Sequence, residues 1–183
     1  MNTEYFQQDM RSLDLAAEKT FDLAFCALGT FQHMLTNEDA VNCFKSTAKY
    51  MSTGSILVVE VSHPQELFNL GDVSAEEWVR ELEDGRILSA QWGSPDDIFD
   101  PITQVRESNV AFSIETADSD GAEMLESMVQ VAYQRMFTAR EIDALAMASG
   151  AFKVVEFFGS METEVPVGDV ENAYRMVAIL QRS

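Results

Sequence analysis

Apolar residues fall in short blocks whose spacing changes from strand-like to helix-like and back along the chain. The first block, Phe21-Asp22-Leu23-Ala24-Phe25-Cys26-Ala27-Leu28, closes at Gly29-Thr30. A nearly continuous apolar run of this length predicts a strand over 21–28 buried on both faces, as in a parallel sheet. Thr36 stands three residues before Asp39, and Val41, Phe44, Ala48 and Met51 recur on one helical face. That is a capping box followed by an amphipathic helix, expected to stop before Gly54. Ser55-Ile56-Leu57-Val58-Val59-Glu60-Val61 predicts a second buried strand, so this part of the chain reads as a βαβ unit with right-handed crossover.

Beyond His63-Pro64 the pattern loosens. A short helix is expected over 75–82, followed by longer strands over 87–92, 104–115 and 128–137. In the second of these, Val110, Phe112 and Ile114 alternate with polar positions, the mark of a half-exposed antiparallel strand. Asp118-Ser119-Asp120-Gly121 suits a turn between two of them. Thr138 and Glu141 repeat the capping-box spacing ahead of Ile142, Leu145 and Ala146, with Gly150 as the stop. Strands over 152–158 and 173–180 complete the chain. Without an internal repeat or a Pro- or Gly/Ser-rich linker, residues 1–183 read as a single α/β domain carrying an insertion over 64–137.

At 183 residues, with 46% hydrophobic and 23% charged positions and a mean hydropathy of −0.08, the chain can bury one sizeable core. No apolar run approaches the length needed to span a bilayer, so a membrane-spanning role is not expected. Twelve basic against 31 acidic residues give a net charge of −19, and such a surface repels phosphate backbones, so nucleic acid is not an expected partner. Fifteen acids lie between Asp72 and Glu126 against Arg80, Arg86 and Arg106 alone. That stretch reads first as a solvated face and second as a field for a cationic small molecule. Cys26 and Cys43 have no CxxC pattern and no His at zinc-ligand spacing, which points to a reducing, cytoplasmic setting and no metal site.

Ligands of open parallel sheets bind outside the carboxyl ends of the strands. That rule selects two loops: Gly29, Thr30, Phe31, Gln32 and His33 after the first strand, and Ser62, His63 and Pro64 after the second, with Glu60 just inside it. His33 is the candidate general base, because an imidazole is partly neutral at physiological pH. A structural histidine beginning a helix fits the same letters. Glu60, His63, Trp92, Tyr133 and Arg135 are candidates for a substrate pocket, although such residues are more often packing or surface residues.

Upstream, Tyr5-Phe6-Gln7-Gln8-Asp9-Met10-Arg11-Ser12-Leu13-Asp14-Leu15 reads as a strand-like stub entering an acidic loop. An Asp-Met-Arg segment before a Phe-Asp-Leu strand resembles the class I S-adenosylmethionine-dependent methyltransferases of small-molecule type. Phe-Cys-Ala-Leu-Gly-Thr-Phe-Gln-His at 25–33 is similar to that family's fourth strand and its loop, and Thr-Gly-Ser-Ile-Leu-Val-Val-Glu at 53–60 to the turn into its fifth. Arg135-Met136-Phe137-Thr138, Glu141-Ile142 and Ser149-Gly150-Ala151-Phe152 resemble the helix and strand that close its sheet. The resemblance implies a Rossmann-like sheet, S-adenosylmethionine as cofactor and a small-molecule methyl acceptor; because no strong base motif is evident in the sequence, an amine is expected in preference to a hydroxyl. It implies that Asp9 accepts a hydrogen bond from the adenine amino group, that the Met10 amide meets a ring nitrogen and Met10 or Leu13 covers the ring, and that Cys26, Ala27, Leu28, Gly29 and Thr30 line the methionine part. Phe31, Glu60, His63, Tyr133 and Arg135 would then face the acceptor, with His33 as base.

The resemblance begins only at the family's third strand. The first two strands and the glycine-rich cofactor loop have no counterpart, and no two glycines are spaced Gly-x-Gly. In the family the first strand lies between the third and fourth, so one side of the 21–28 strand should be left unpaired. Three expectations follow: a piece of a longer methyltransferase, one half of a two-chain enzyme or homodimer, or a non-catalytic relative serving as a binding or scaffolding subunit.

Overall fold

The structure, a computed structural model, describes residues 3–16, 20–65, 76–116 and 124–183. The chain divides into two compact units, one of Met1–Phe68 with Arg135–Ser183 and one of Asn69–Gln134.

Among the described residues, the first unit is a four-stranded mixed sheet packed on helices α1 (Asn37–Ala48) and α2 (Ala139–Ser149). Strands β1 (Phe21–Cys26), β2 (Met51–Ser62), β8 (Phe152–Phe158) and β9 (Arg175–Arg182) lie in the order β1-β2-β9-β8. The β1–β2 pair is parallel, with Leu23 beside Ile56 and Cys26 beside Val59, and β9 runs antiparallel between β2 and β8. Helix α1 (Asn37–Ala48) supplies the crossover, and α2 (Ala139–Ser149) precedes β8. Both helices start as expected. The Thr36 hydroxyl accepts the Asp39 amide while the Asp39 carboxylate accepts the Thr36 amide, and Thr138 and Glu141 repeat the arrangement. Gly150 closes α2 in the left-handed conformation.

Alternation decides which face of the sheet is covered. Leu57, Val59 and Val61 of β2 and Met176, Ala178 and Leu180 of β9 join Phe44, Ile142, Leu145 and Ala146 of the helices in one buried cluster. Phe31 stacks on Phe44 with ring centroids 5.0 Å apart and tilts against Phe137 at 5.2 Å.

Several expectations are corrected here. Strand β1 is not buried on both faces. It pairs β2 alone among the described residues, so it is an edge, and Leu23 and Phe25 are 59% and 71% exposed. It also ends at Cys26, because Leu28 and Gly29 both take positive φ. Met51 belongs to β2 rather than to α1, since β2 begins three residues before Gly54, which sits at φ +87° where the pairing with β1 shifts register. The upstream stub forms no strand. Gln8 closes it as a loop, its side chain donating to the Asp14 carbonyl and accepting the Asp14 amide, both at 2.7 Å, ahead of a 3-10 turn at Met10–Ser12.

The second unit is antiparallel sheet. β3 (Glu76–Glu81), β4 (Ile87–Trp92), β6 (Val105–Glu115) and β5 (Ile98–Asp100) pair in that order, and β7 (Met124–Arg135) pairs β6. The expected helix over 75–82 is therefore a strand where it is described. Trp78 pairs Ala90 and Arg80 pairs Leu88, and Gly85 at φ +81° turns the hairpin. An Asp-Gly turn followed by a β-rich run overrides the helical preference of the glutamates. The expected turn over 118–121 lies outside the described residues.

Candidate functional site

The candidate site of the first unit lies at the carboxyl ends of β1 and β2. Immediately after β1 the backbone enters a left-handed pair, Leu28 at φ +56° and Gly29 at φ +68°. For glycine this conformation is free, whereas for leucine it costs about 1–2 kcal/mol. Two sets of hydrogen bonds hold the turn. Thr30 donates its amide and hydroxyl to the Ala27 carbonyl at 3.2 and 2.7 Å. The Leu28 amide donates to Glu60 Oε2 at 2.7 Å, and the other oxygen of this buried carboxylate meets Arg175 Nε at 3.2 Å.

The chain next makes a 3-10 turn, Thr30–His33. Phe31, expected at the acceptor, is a core ring, 1% exposed. Gln32 is buried and ties three segments together. Its Oε1 accepts the Ser62 amide and hydroxyl, each at 3.1 Å, and its Nε2 donates to Met136 Sδ at 3.2 Å and to the Arg135 carbonyl at 3.4 Å. His33 is exposed at the end of this turn. His63 is buried and engaged by backbone at both ring nitrogens, with Nε2 2.8 Å from the Val167 carbonyl and Nδ1 3.3 Å from the Gln65 amide. A neutral ring protonated at Nε2 satisfies both contacts.

Asp9 caps the Met10–Ser12 turn. Its carboxylate accepts the Arg11 amide at 2.9 Å and the Arg11 guanidinium at 2.6 Å, and Arg11 reaches on to Asp39 at 2.9 Å. The Arg11 hydrogen bonds hold the Asp9 carboxyl down to about 2. This clip fastens the upstream segment to the start of α1, assisted by the Leu13 amide donating to Ser46 Oγ at 2.6 Å. Met10 packs half-buried against the core. Burial pushes the Cys26 thiol up to about 11 and the Cys43 thiol to about 12, so both stay protonated and unreactive at neutral pH.

Arg135 is buried, pairs with Glu141 at 3.0 Å and lies 4.8 Å over the Phe137 ring, while its Nε finds no hydrogen-bond partner among the described residues. Tyr133 and Trp92 belong to the second unit, on β7 and β4. The structure thus brings Cys26, Ala27, Leu28, Gly29, Thr30, His33 and Glu60 to one strand end, and ties His63 and Phe31 into the framework beneath. Arg175 is the residue that sequence reasoning missed. Its one signal is a cation opening an otherwise apolar run, Met176-Val177-Ala178-Ile179-Leu180. Among the described residues there is no cluster of metal-ligating side chains, and no helix is long and apolar enough to cross a membrane.

No protein family model and no curated protein matches this sequence. Solved structures do match. A S-adenosylmethionine-dependent methyltransferase from Clostridium acetobutylicum superposes with a TM-score of 0.67 at 13% identity, covering 95% of this chain and 62% of its own. The sugar N-methyltransferase KedS8 from Streptoalloteichus has a TM-score of 0.67 at 19% identity, with 97% and 62% covered. DesVI from Streptomyces venezuelae gives 0.65 at 21%, with 94% and 63% covered. The fold is therefore the Rossmann-like fold of the class I methyltransferases, with an antiparallel β insertion between β2 and α2. The chain spans about three-fifths of the length of these solved structures.

Proposed function

We propose that this chain takes part in S-adenosylmethionine-dependent methyl transfer to a small molecule, an amine in preference to a hydroxyl. The observation that carries the reading is the likeness of nearly the whole chain to methyltransferase folds, two of which are described as sugar N-methyltransferase and amino pentose methyltransferase.

The residues present fit one part of the cofactor. A carboxylate offers about four acceptor sites, and three Arg11 nitrogens fill them on Asp9 with four hydrogen bonds, two on each oxygen; an adenine amino group would take the place of one of these contacts on this exposed side chain. Met10 and Leu13 supply apolar cover beside it, and Ala27, Leu28, Gly29 and Thr30 would line the methionine part. When bound, S-adenosylmethionine supplies an electrophilic methyl group on a sulfonium. This chain's own contribution is positioning and proton handling. An amine must shed its proton to present a lone pair, and exposed His33, at the end of the turn, is the group that would take it. Methyl transfer to a neutral amine needs in-line alignment and a desolvated pocket more than a strong base, which supports the amine. Tyr133 and Arg135 remain candidates for acceptor contact.

The reading includes a longer chain or a second chain. The outer edge of β1 has no partner strand among the described residues and carries exposed Leu23 and Phe25, a surface that natural proteins cover. A parallel strand from upstream sequence, a partner chain or a second copy would pair there. The test is transfer of labelled methyl from S-adenosylmethionine to matched amine and hydroxyl acceptors, by the natural gene product and by this chain supplemented with a Gly-x-Gly-bearing upstream segment. Label on the amine supports the proposal. Absence of transfer in both preparations overturns it and favours a scaffolding subunit.

A further inference from the structure

We infer that Glu60 and Arg175 are positioning residues that hold Leu28 in its left-handed conformation and thereby shape the turn of the candidate cofactor site; the functional consequence rests on the reading above. The inference starts from a mismatch. Leu28 occupies a conformation that glycine would adopt without strain, and its side chain is 85% exposed, so no packing contact compensates. What compensates is beneath the backbone. Its amide donates to a carboxylate only 6% exposed, a charge-assisted bond at 2.7 Å. A carboxylate that deep in the sheet requires a cation, and Arg175 provides it at 3.2 Å.

Arg175 is itself held in place. Its amide and that of Tyr174 both donate to the Gly159 carbonyl at 3.0 Å, and the Gly159 amide donates to the Val165 carbonyl at 2.7 Å. A methyl group on Gly159 would lie 2.6 Å from both the Ala173 Cβ and the Pro166 carbonyl, so only glycine admits this approach. One run of contacts therefore leads from the end of β8 through the start of β9 and across β2 to the turn after β1. Both carboxylate oxygens of Glu60 are used inside the protein, which assigns it to the turn rather than to the acceptor.

The test pairs amide hydrogen exchange with titration of S-adenosylhomocysteine into the natural gene product, using Glu60→Leu, Glu60→Gln and the double variant Glu60→Leu/Leu28→Gly. Glu60→Leu should speed exchange at the Leu28 amide roughly tenfold, the fold-change expected when a strained residue loses its tether, with Val59 and Leu180 amides unchanged as a control for folding. Ligand affinity should fall by a similar factor. Glu60→Gln keeps an acceptor and should lose less, and Leu28→Gly should restore affinity in the Glu60→Leu background, because glycine holds the turn without a tether. Unchanged Leu28 exchange in Glu60→Leu, or an affinity loss that Leu28→Gly does not recover, overturns the assignment. If the parent protein does not bind S-adenosylhomocysteine, the cofactor reading fails, and the exchange data alone decide whether Glu60 holds the turn.

Discussion

The two units put their apolar residues to different use. In the first, Phe31, Phe44, Phe137, Ile142, Met176 and Leu180 are all but inaccessible, and two capped helices shield one face of the sheet. In the second, Trp78, Val79, Val129 and Val131 of the strands are about half-exposed or more, and its acids outnumber its bases by twelve between Asp72 and Glu126. Hydrophobic stabilisation scales with area removed from water, so the cohesion of the first unit lies in its interlocked rings and that of the second in hairpin ladders and turns. The first unit accordingly carries the rigid strand ends on which a site can be built.

Removing a ring should separate the two most sharply. Phe44→Ala is expected to cost about 3–5 kcal/mol, while Trp78→Ala on β3 should stay within roughly 1 kcal/mol, both read from denaturant midpoints. Equal costs would erase the distinction. Gly159→Ala probes the tight junction of β8 with the loop before β9, where the added methyl meets two atoms at 2.6 Å; overpacking of this kind costs about 1–3 kcal/mol. The same change at Gly168, which has open space around it, should leave the melting temperature nearly unmoved. Thr138→Ala removes the hydroxyl half of the α2 capping box and should cost about 1 kcal/mol, measured by thermal unfolding.

The smallest effect is electrostatic and appears in both units. Asp9 and Asp84 each pair with an arginine two residues on, and both carboxyls are held below their usual range by those hydrogen bonds. A depressed folded value means that the contribution is complete above the unfolded pKa near 3.9 and disappears as pH falls toward about 2 for Asp9. Carboxyl NMR titration should show Asp9 ionising near 2, and Arg11→Met should return it toward 3.9. An unmoved Asp9 in that variant would mean that the clip contributes nothing.

What was legible in the sequence follows the same division. Both capping boxes, the βαβ unit and the closing strands could be read, because local signals and burial agree in the first unit. The exposure of β1 could not, since an apolar run looks identical whether or not a neighbour covers it. The Glu76–Glu81 strand reads as helix in the sequence because glutamates favour a helix in isolation, while the Asp84-Gly85 turn and the Ile87–Trp92 strand recruit it into a hairpin. At the site, the strand-end rule selects Gly29 to His33 and Ser62 to Pro64 with Glu60, but it could not reveal that His63 and Glu60 are occupied by the chain's own groups. Those assignments depend on Val167 and Arg175, more than a hundred residues away in sequence, and no local pattern encodes such partners.

The measurement that tests the account most directly is calorimetric titration of S-adenosylhomocysteine into the natural gene product, alongside its Asp9→Ala variant. Saturable binding in the first, weakened roughly tenfold or more in the second as a lost charge-assisted hydrogen bond requires, is the predicted result. Absence of binding to the natural product would contradict the cofactor reading, and undiminished affinity in the variant would remove Asp9 from the site.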